Sequence, residues 1–183
     1  MTGPFLVGEK VSLRPLDATD APRLVTLLND PAVRRNLRLD RPVSLAAEHE
    51  FIAALARATD QVVLGVAARD DGRLLGVTGL HQLGDAARQA EFGIFLGGPQ
   101  EWGKGFGQEA TRLIVDYGFG TLNLNRIWLH VNAGNQRGVR AYQKVGFKTE
   151  GVLRQASFRD GAYQDVVAMA ILREEWAPPG RPG

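Results

Sequence analysis

The spacing of apolar residues predicts a strand followed by two helices in the first third of the chain. Val11 and Leu13 alternate within a strand over residues 10–14, and Pro15 ends it because proline has no N–H for the ladder. Asp17 or Thr19 is expected to cap the first helix and Ser44 the second, which runs to about residue 58. The expected inner faces are Ala21, Leu24, Val25, Leu27 and Leu28 in the first helix, and Leu45, His49, Ile52, Ala53 and Leu55 in the second.

The rest of the chain alternates between β-rich runs and helical periodicity. Asp70-Asp71-Gly72 is typical of a hairpin turn, and Gly146 is a typical helix terminator. Helices are expected from about Gly105 and over residues 136–145, and strands over residues 62–68, 74–80, 91–96, 126–132, 148–158 and 163–172. This order predicts a mixed α/β sheet with one central crossover.

Composition narrows the class of protein. The chain has 183 residues, 44% hydrophobic and 23% charged, which fits one soluble domain over residues 1–177 with a disordered Pro- and Gly-rich tail over residues 178–183. The net charge of +2 argues against a nucleic-acid partner, and no apolar run is long enough to cross a membrane, so a cytoplasmic location is expected. The absence of cysteine excludes disulfides, Cys-ligated zinc and a Cys acyl-enzyme.

A glycine-rich turn precedes the helix that begins near Gly105. It reads Gln100-Glu101-Trp102-Gly103-Lys104-Gly105-Phe106-Gly107. Glycines let the backbone approach a bulky anion, and free N–H groups at a helix N-terminus favour negative charge. A phosphate-bearing ligand therefore fits this turn, and a plain surface loop is the alternative. It is no Walker loop, because no Ser or Thr follows a Gly-Lys pair.

A second motif follows the next strand. Asn135 is an N-cap candidate, Tyr142 lies two turns further on, and Gly146-Phe147 follows. Together with the glycine-rich turn, this order resembles the GNAT acyltransferase superfamily. Trp102-Gly103-Lys104-Gly105 and residues 146–154 are similar to its RimJ/RimL-like N-acetyltransferase branch. The resemblance implies an α+β fold with about seven mainly antiparallel strands, splayed at the centre and flanked by about four helices.

The resemblance also implies acetyl-coenzyme A (acetyl-CoA) as co-substrate, with no metal. Its pyrophosphate would lie on the amides of the glycine-rich turn, and its pantetheine arm along the preceding strand. The implied contacts are Ile94, Phe95, Leu96, Trp102, Gly103, Lys104, Gly105, Phe106, Gly107, Asn135, Tyr142 and Lys144. A homodimer is compatible with this family.

Acetyl transfer to an amine requires removing a proton from the amine and stabilising the thiolate that leaves. With neither cysteine nor a Gly-x-Ser-x-Gly elbow, direct attack is favoured over an acyl-enzyme. Glu91 is the first candidate for the general base, His130 the second, and His81 and Asp165 follow. Tyr142 is the candidate acid, because an ordinary phenol and a thiol have similar pKa values.

The acceptor amine is expected to enter between the N-terminal helices and the last two strands. A protein N-terminus, such as that of a ribosomal protein, and a small amine are both compatible with the sequence. The alternative function is a catalytically inactive relative that binds acyl-CoA as a sensor or interaction module.

Overall fold

Eight strands form one sheet. In the computed structural model, which describes residues 3–37, 39–84 and 86–176, they are β1 (Leu6–Val7), β2 (Val11–Arg14), β3 (Gln61–Ala68), β4 (Leu74–His81), β5 (Gln89–Leu96), β6 (Arg126–Asn132), β7 (Lys148–Arg159) and β8 (Ala162–Leu172). The strand order is β1-β2-β3-β4-β5-β6-β8-β7, and only the β5–β6 pair is parallel. The predicted mixed, mainly antiparallel sheet is confirmed, with one strand more than expected. The predicted tail over residues 178–183 lies outside the described residues.

Within the described residues, five α-helices flank the sheet: α1 (Ala21–Asn29), α2 (Pro31–Arg34), α3 (Leu45–Leu55), α4 (Phe106–Gly120) and α5 (Gln136–Val145). The short β1 and α2 were not predicted, because two or four residues carry too little periodicity. Ser44 caps α3 as expected, by accepting from the Ala47 N–H at 3.1 Å. None of the described helices is both long enough and apolar enough to span a bilayer.

The predicted inner face of α3 is confirmed at Ile52 and wrong at Leu45, His49 and Ala53. Leu45 is 45% exposed and His49 is exposed, whereas Glu48 and Ile52 are buried. Ile52 packs with residues of α1 and β4, and Glu48 lies one helical turn before it on the same face. The periodicity of the helix pointed to Leu45 and His49, because that pattern does not anticipate a carboxylate, Glu48, on the buried face.

Side-chain alternation along β5 divides the core between the two faces of the sheet. Ala90 and Phe92 belong to the main core with α4, and Ile94 and Leu96 pack against it. Phe95 points to the opposite face and packs against a smaller cluster formed with α1 and α3. The two faces therefore carry different helices, α4 on one and α1 with α3 on the other.

The sheet splays at its centre, between β5 and β6. The two strands pair only at Gln89–Arg126, Ala90–Ile127 and Glu91–Trp128. Beyond that point β5 stays paired with β4 as far as Leu96, and β6 stays paired with β8 as far as Asn132. A gap therefore opens in the sheet directly after Glu91, in keeping with the central splay that the family resemblance implied.

Candidate active site

A cavity of about 730 Å³ passes through the splay. The glycine-rich turn and the first turns of α4 and α5 line one end, and residues from α1, α2, α3, β3 and β4 line the other. Glu91, Tyr142 and the residues expected to contact the coenzyme line this cavity, with one exception among them. That exception is Lys104, whose ammonium lies 3.5 Å from the Glu101 carboxylate and over the Phe106 ring instead.

The glycine-rich turn presents a run of free backbone amides to the cavity. Gly103 and Gly105 have φ values of 79° and 87°, a conformation that side-chain-bearing residues rarely adopt. The Trp102 N–H donates to Pro99, and the first helical bond of α4 runs from Glu109 to Gly105. Among the described residues, no partner accepts from the N–H groups of residues 103–108. The free run thus begins one residue after the predicted Trp102.

A carboxylate holds this turn against the start of the chain. Glu109, in the first turn of α4, accepts from the backbone N–H groups of Glu9, Lys10 and Val11, each at 2.8 Å. The Lys10 ammonium in turn donates to the Lys104 carbonyl at 3.1 Å. The loop between β1 and β2 therefore fixes where the N-terminus of α4 points.

A stacked pair links the turn to α5. The Arg137 guanidinium lies 3.7 Å from the centroid of the Trp102 ring, and both residues line the cavity. Burial lowers the pKa of Arg137, although the group remains a cation at neutral pH. This contact places a positive charge beside the free amides.

Asn135 begins α5 as predicted. Its Oδ1 accepts from the Gly138 N–H at 3.0 Å, which satisfies one of the free donors of the first turn. A Cβ on Gly138 would lie 2.8 Å from the Asn135 Nδ2, so the glycine leaves room for the capping amide. Both Asn135 and Lys144 line the cavity from this helix.

Tyr142 stands on the α4 side of the splay. Its ring packs edge-on against Phe92, with centroids 5.8 Å apart, and against Phe147 at 6.0 Å. Burial raises the pKa of Tyr142 to about 12, with the positive charge of Arg137 acting in the opposite direction. The near match to a thiol pKa that the sequence suggested is therefore wrong, because an apolar surrounding disfavours the phenolate.

Glu91 stands on the other face, at the last paired position before the gap. The Gln82 amide donates to its Oε2 at 3.2 Å. His81 is its cross-strand neighbour on β4 and lines the same cavity. The His81 Nδ1 lies 2.9 Å from the Gln61 Oε1, within hydrogen-bond distance. Burial lowers the pKa of His81, with Glu91 and Asp60 opposing, so its imidazole is neutral at pH 7.

The two remaining base candidates differ in position. His130 lines the cavity from β6 and packs edge-on against Trp128, with ring centroids 5.2 Å apart. Asp165 does not line it, and its carboxylate accepts from the Gln155 N–H at 2.8 Å where β7 bulges. Its role is to hold that bulge.

The end of the cavity away from the glycine-rich turn is lined by a loop that is hydrogen-bonded from two directions. The Asn29 amide exchanges hydrogen bonds with the backbone of Val43, at 2.8 and 3.0 Å. From β7, the Arg159 guanidinium donates to the Leu37 carbonyl at 2.9 Å. The described parts of the loop between α2 and α3 are therefore held against α1 on one side and β7 on the other.

Comparison with known families decides what this arrangement is. The model of the Acetyltransferase (GNAT) domain matches residues 10–148. The chain belongs to this family. The family is the one that the two sequence motifs resembled, and a GNAT acetyltransferase uses acetyl-CoA to acetylate amines.

Full-length relatives support the same family. The chain is 31% identical over 169 residues to spermidine N(1)-acetyltransferase of Escherichia coli (strain K12), covering 92% of this chain and 89% of that protein. It is also 31% identical over 173 residues to N-acetyltransferase YoaA of Bacillus subtilis (strain 168), covering 93% and 97%. A spermidine N-acetyltransferase from Vibrio cholerae, solved with CoA and spermine, superposes with a TM-score of 0.85 at 29% identity, covering 92% and 98%.

The residues present fit the coenzyme. Six adjacent free N–H groups and a stacked cation suit a diphosphate, and the unpaired edge of β5 beyond Glu91 can hydrogen-bond an extended amide chain. This GNAT protein is therefore an acetyl-CoA-dependent N-acetyltransferase.

Proposed function

We propose that this acetyltransferase moves the acetyl group directly to a small aliphatic primary amine, with both substrates bound in the one cavity. Glu91 acts as the general base, and the Tyr142 hydroxyl stabilises the departing sulfur. The amides of residues 103–108, with Arg137, hold the coenzyme pyrophosphate. Ile94, Phe95, Leu96 and Asn135 line its pantetheine arm, and Lys144 adds positive charge beside it.

One observation carries this proposal. Glu91 and Tyr142 lie on opposite faces of the sheet, yet both line the same cavity because β5 and β6 separate directly after Glu91. A thioester reaching the gap from the α4 side would present its carbonyl carbon to an amine on the Glu91 side. Direct transfer requires this juxtaposition of the two substrates.

The chemical step balances with these residues. The ammonium gives one proton through a bridging water to Glu91, which returns it to solvent. The amine nitrogen then bonds to the carbonyl carbon, and the carbon–sulfur bond breaks with its electron pair going to sulfur. The second nitrogen proton neutralises the thiolate as the amide forms, so one proton is released overall.

Tyr142 acts in this step as a hydrogen-bond donor. With its pKa raised to about 12, full transfer of its proton to a thiolate would be uphill. The same raised pKa keeps the hydroxyl protonated over the whole working range of pH. Among the described residues no group accepts from it, so it is free to donate to the developing negative charge on sulfur.

The acceptor end favours a small amine. Leu37, Leu39 and Val43 enclose it beside α3, and the loop that carries them is hydrogen-bonded on both sides. Relatives that acetylate spermidine support the same class of acceptor. A peptide N-terminus, including that of a ribosomal protein, is the competing acceptor.

The test is thiol release from acetyl-CoA across a panel of alkylamines, polyamines and peptides. We expect turnover with small amines, and a loss of about 10²- to 10⁴-fold in kcat for Glu91→Gln with unchanged CoA affinity. Glu50→Gln, an exposed change on α3, should behave as wild type. His81→Gln tests the neighbouring imidazole, and a larger loss there than in Glu91→Gln would reassign the base.

Two outcomes would contradict the proposal. Turnover with peptides alone would replace the small-amine acceptor by a protein N-terminus. CoA binding without thiol release, for every amine tried, would favour the inactive sensor.

A further inference from the structure

One carboxylate in the cavity has no function in the reaction described above. Glu48, in the first turn of α3, is 5% exposed and lines the acceptor end. Within residues 3–37, 39–84 and 86–176, no side chain or backbone group forms an ion pair or hydrogen bond with its carboxylate. A buried charge without a partner costs free energy. A ligand that carries the opposite charge would supply that partner.

The lining of the cavity end that holds Glu48 is mostly apolar. It is supplied by Leu28, Val33, Leu37, Leu39, Val43 and Phe51, with Asn36 as a polar member. None of these described residues carries a charge, and burial raises the pKa of Glu48. A leucine would pack here at lower cost, so the carboxylate is not explained by stability.

Its position relates Glu48 to the acceptor rather than to the coenzyme. Helix α3 packs on the face of the sheet to which Phe95 points, and Glu91 shares that face because it lies four residues before Phe95 on β5. The glycine-rich turn lies at the other end of the cavity. An amine bound at Glu91 can therefore extend along the apolar wall toward Glu48.

We propose that Glu48 binds a second, non-reacting ammonium group of the acceptor, which is a linear aliphatic diamine or polyamine. The methylene chain lies along the apolar wall, and the reacting amine lies at the splay beside Glu91. This inference rests on the proposed function and adds the charge pattern of the acceptor. The second ammonium donates a charge-assisted hydrogen bond to Glu48 that is shielded from water. Glu48 therefore favours acceptors with two ammonium groups over acceptors with one.

The experiment compares 1-aminopentane with 1,5-diaminopentane, which differ only in the second amine. We expect wild type to prefer the diamine by at least about 30-fold in kcat/KM, since truncating a buried charge pair has a large effect. Glu48→Gln should lose that preference while keeping its rate with 1-aminopentane. Glu48→Asp should restore part of the preference, and Glu50→Gln, on the exposed side of the same helix, should keep all of it.

Thermal melting of each variant checks that it folds, and Glu48→Leu gives a second variant that removes the charge. Equal preference for the diamine in wild type and Glu48→Gln would overturn the inference, as would no preference in wild type.

Calorimetry separates this inference from the proposed function. Diamine that binds the CoA complex of wild type but not that of Glu48→Gln, with no amine acetylated, would support the subsite and contradict the function. Turnover that Glu48→Gln leaves unchanged would support the proposed function and contradict the subsite.

Discussion

At the scale of single residues, burial decides what each candidate group can do. Tyr142 was recognised from its distance to Asn135, but one of the two rings packed against it, Phe92, comes from the distant strand β5, whereas Phe147 belongs to the same motif. Those rings raise the pKa of its hydroxyl to about 12. The motif thus predicted which residue stands at the gap, and packing determined its protonation.

Removing the hydroxyl of Tyr142 should slow the reaction without disturbing the fold. The Tyr142→Phe ring keeps the aromatic contacts, and a lost hydrogen bond to developing charge costs about 1.5–3 kcal/mol. We therefore expect kcat to fall by roughly 10- to 100-fold at unchanged CoA affinity. Steady-state kinetics and calorimetry measure the two quantities, and an unchanged kcat would remove Tyr142 from the mechanism.

The raised pKa of Tyr142 also predicts the alkaline side of the pH profile. A phenol with a pKa near 12 stays protonated at pH 10, whereas an ordinary tyrosine is then half ionised. Wild-type kcat should consequently show no loss attributable to this group up to about pH 10. A fall near pH 10 that disappears in Tyr142→Phe would contradict the assignment.

Glu48 shows the limit of sequence reasoning at this scale. An acidic residue in the first turn of a helix is ordinary, and nothing in the local sequence says that it will line a cavity together with Leu39 and Val43. The residue four positions later, Ile52, offered the only local sign, because a buried residue one turn away shares the same helix face.

At the scale of elements, the N-terminus of α4 depends on contacts as well as on its own sequence. The glycines at 103 and 105 and the start of the helix were predictable, because left-handed turns and free amides follow from local rules. The carboxylate of Glu109 was not, since the β1–β2 loop that it binds lies about a hundred residues earlier in the chain.

A side chain at Gly105 should weaken coenzyme binding. The positive φ of 87° disfavours alanine by about 1–2 kcal/mol, and the backbone would shift its amides to relieve the strain. We expect Gly105→Ala to raise the Kd for CoA by about 10-fold or more. Gly151→Ala is the matched control, because its Cβ meets no atom within 4 Å at an ordinary φ. Equal affinities in both variants would contradict the role of the turn.

Neutralising Glu109 should loosen the same turn from the other side. Glu109→Gln can satisfy only part of the three backbone donors, and each weakened hydrogen bond costs about 1 kcal/mol. Urea unfolding should show a free energy of unfolding that is lower by about 1–3 kcal/mol than in wild type. Hydrogen exchange at residues 9–11 should rise, and unchanged protection there would exclude this contact as the anchor.

At the scale of the whole molecule, the splay was foreseen only through resemblance to the family. Each strand was recognisable from its own residues, but the separation of β5 from β6 depends on β4 and β8 holding them on their outer sides. Local pattern contains no such information. The eight-strand order and the cavity through it are therefore properties of the assembled sheet.

The N-terminal part is fixed to this sheet by a shielded ion pair. Arg14 and Asp20 approach to 2.8 Å, with side chains 13% and 10% exposed. Burial, the largest effect, acts to raise the pKa of Asp20, but the hydrogen bonds from Arg14 and the Asp17 N–H outweigh it and lower that pKa. The stabilisation by this ion pair is therefore complete above the pKa of Asp20 in the unfolded state. It is lost as the pH falls through the lower pKa of Asp20 in the folded state.

Asp20→Asn should therefore destabilise the protein in a pH-dependent way. We expect the free energy of unfolding to fall by about 3–5 kcal/mol near pH 7, because the Arg14 charge remains buried without its partner. The difference from wild type should stay constant above about pH 4 and shrink below it. Urea unfolding at several pH values measures this, and a difference that did not change with pH would contradict the ion-pair explanation.

The central claim is that both substrates occupy one cavity through the sheet, so that the acetyl group passes directly between them. Initial velocities of thiol release, measured while acetyl-CoA and the amine are both varied, test it most directly. We predict double-reciprocal lines that intersect, together with no acetylated protein by mass spectrometry when acetyl-CoA is supplied alone. Parallel lines with a covalently acetylated enzyme would contradict direct transfer across the gap between β5 and β6.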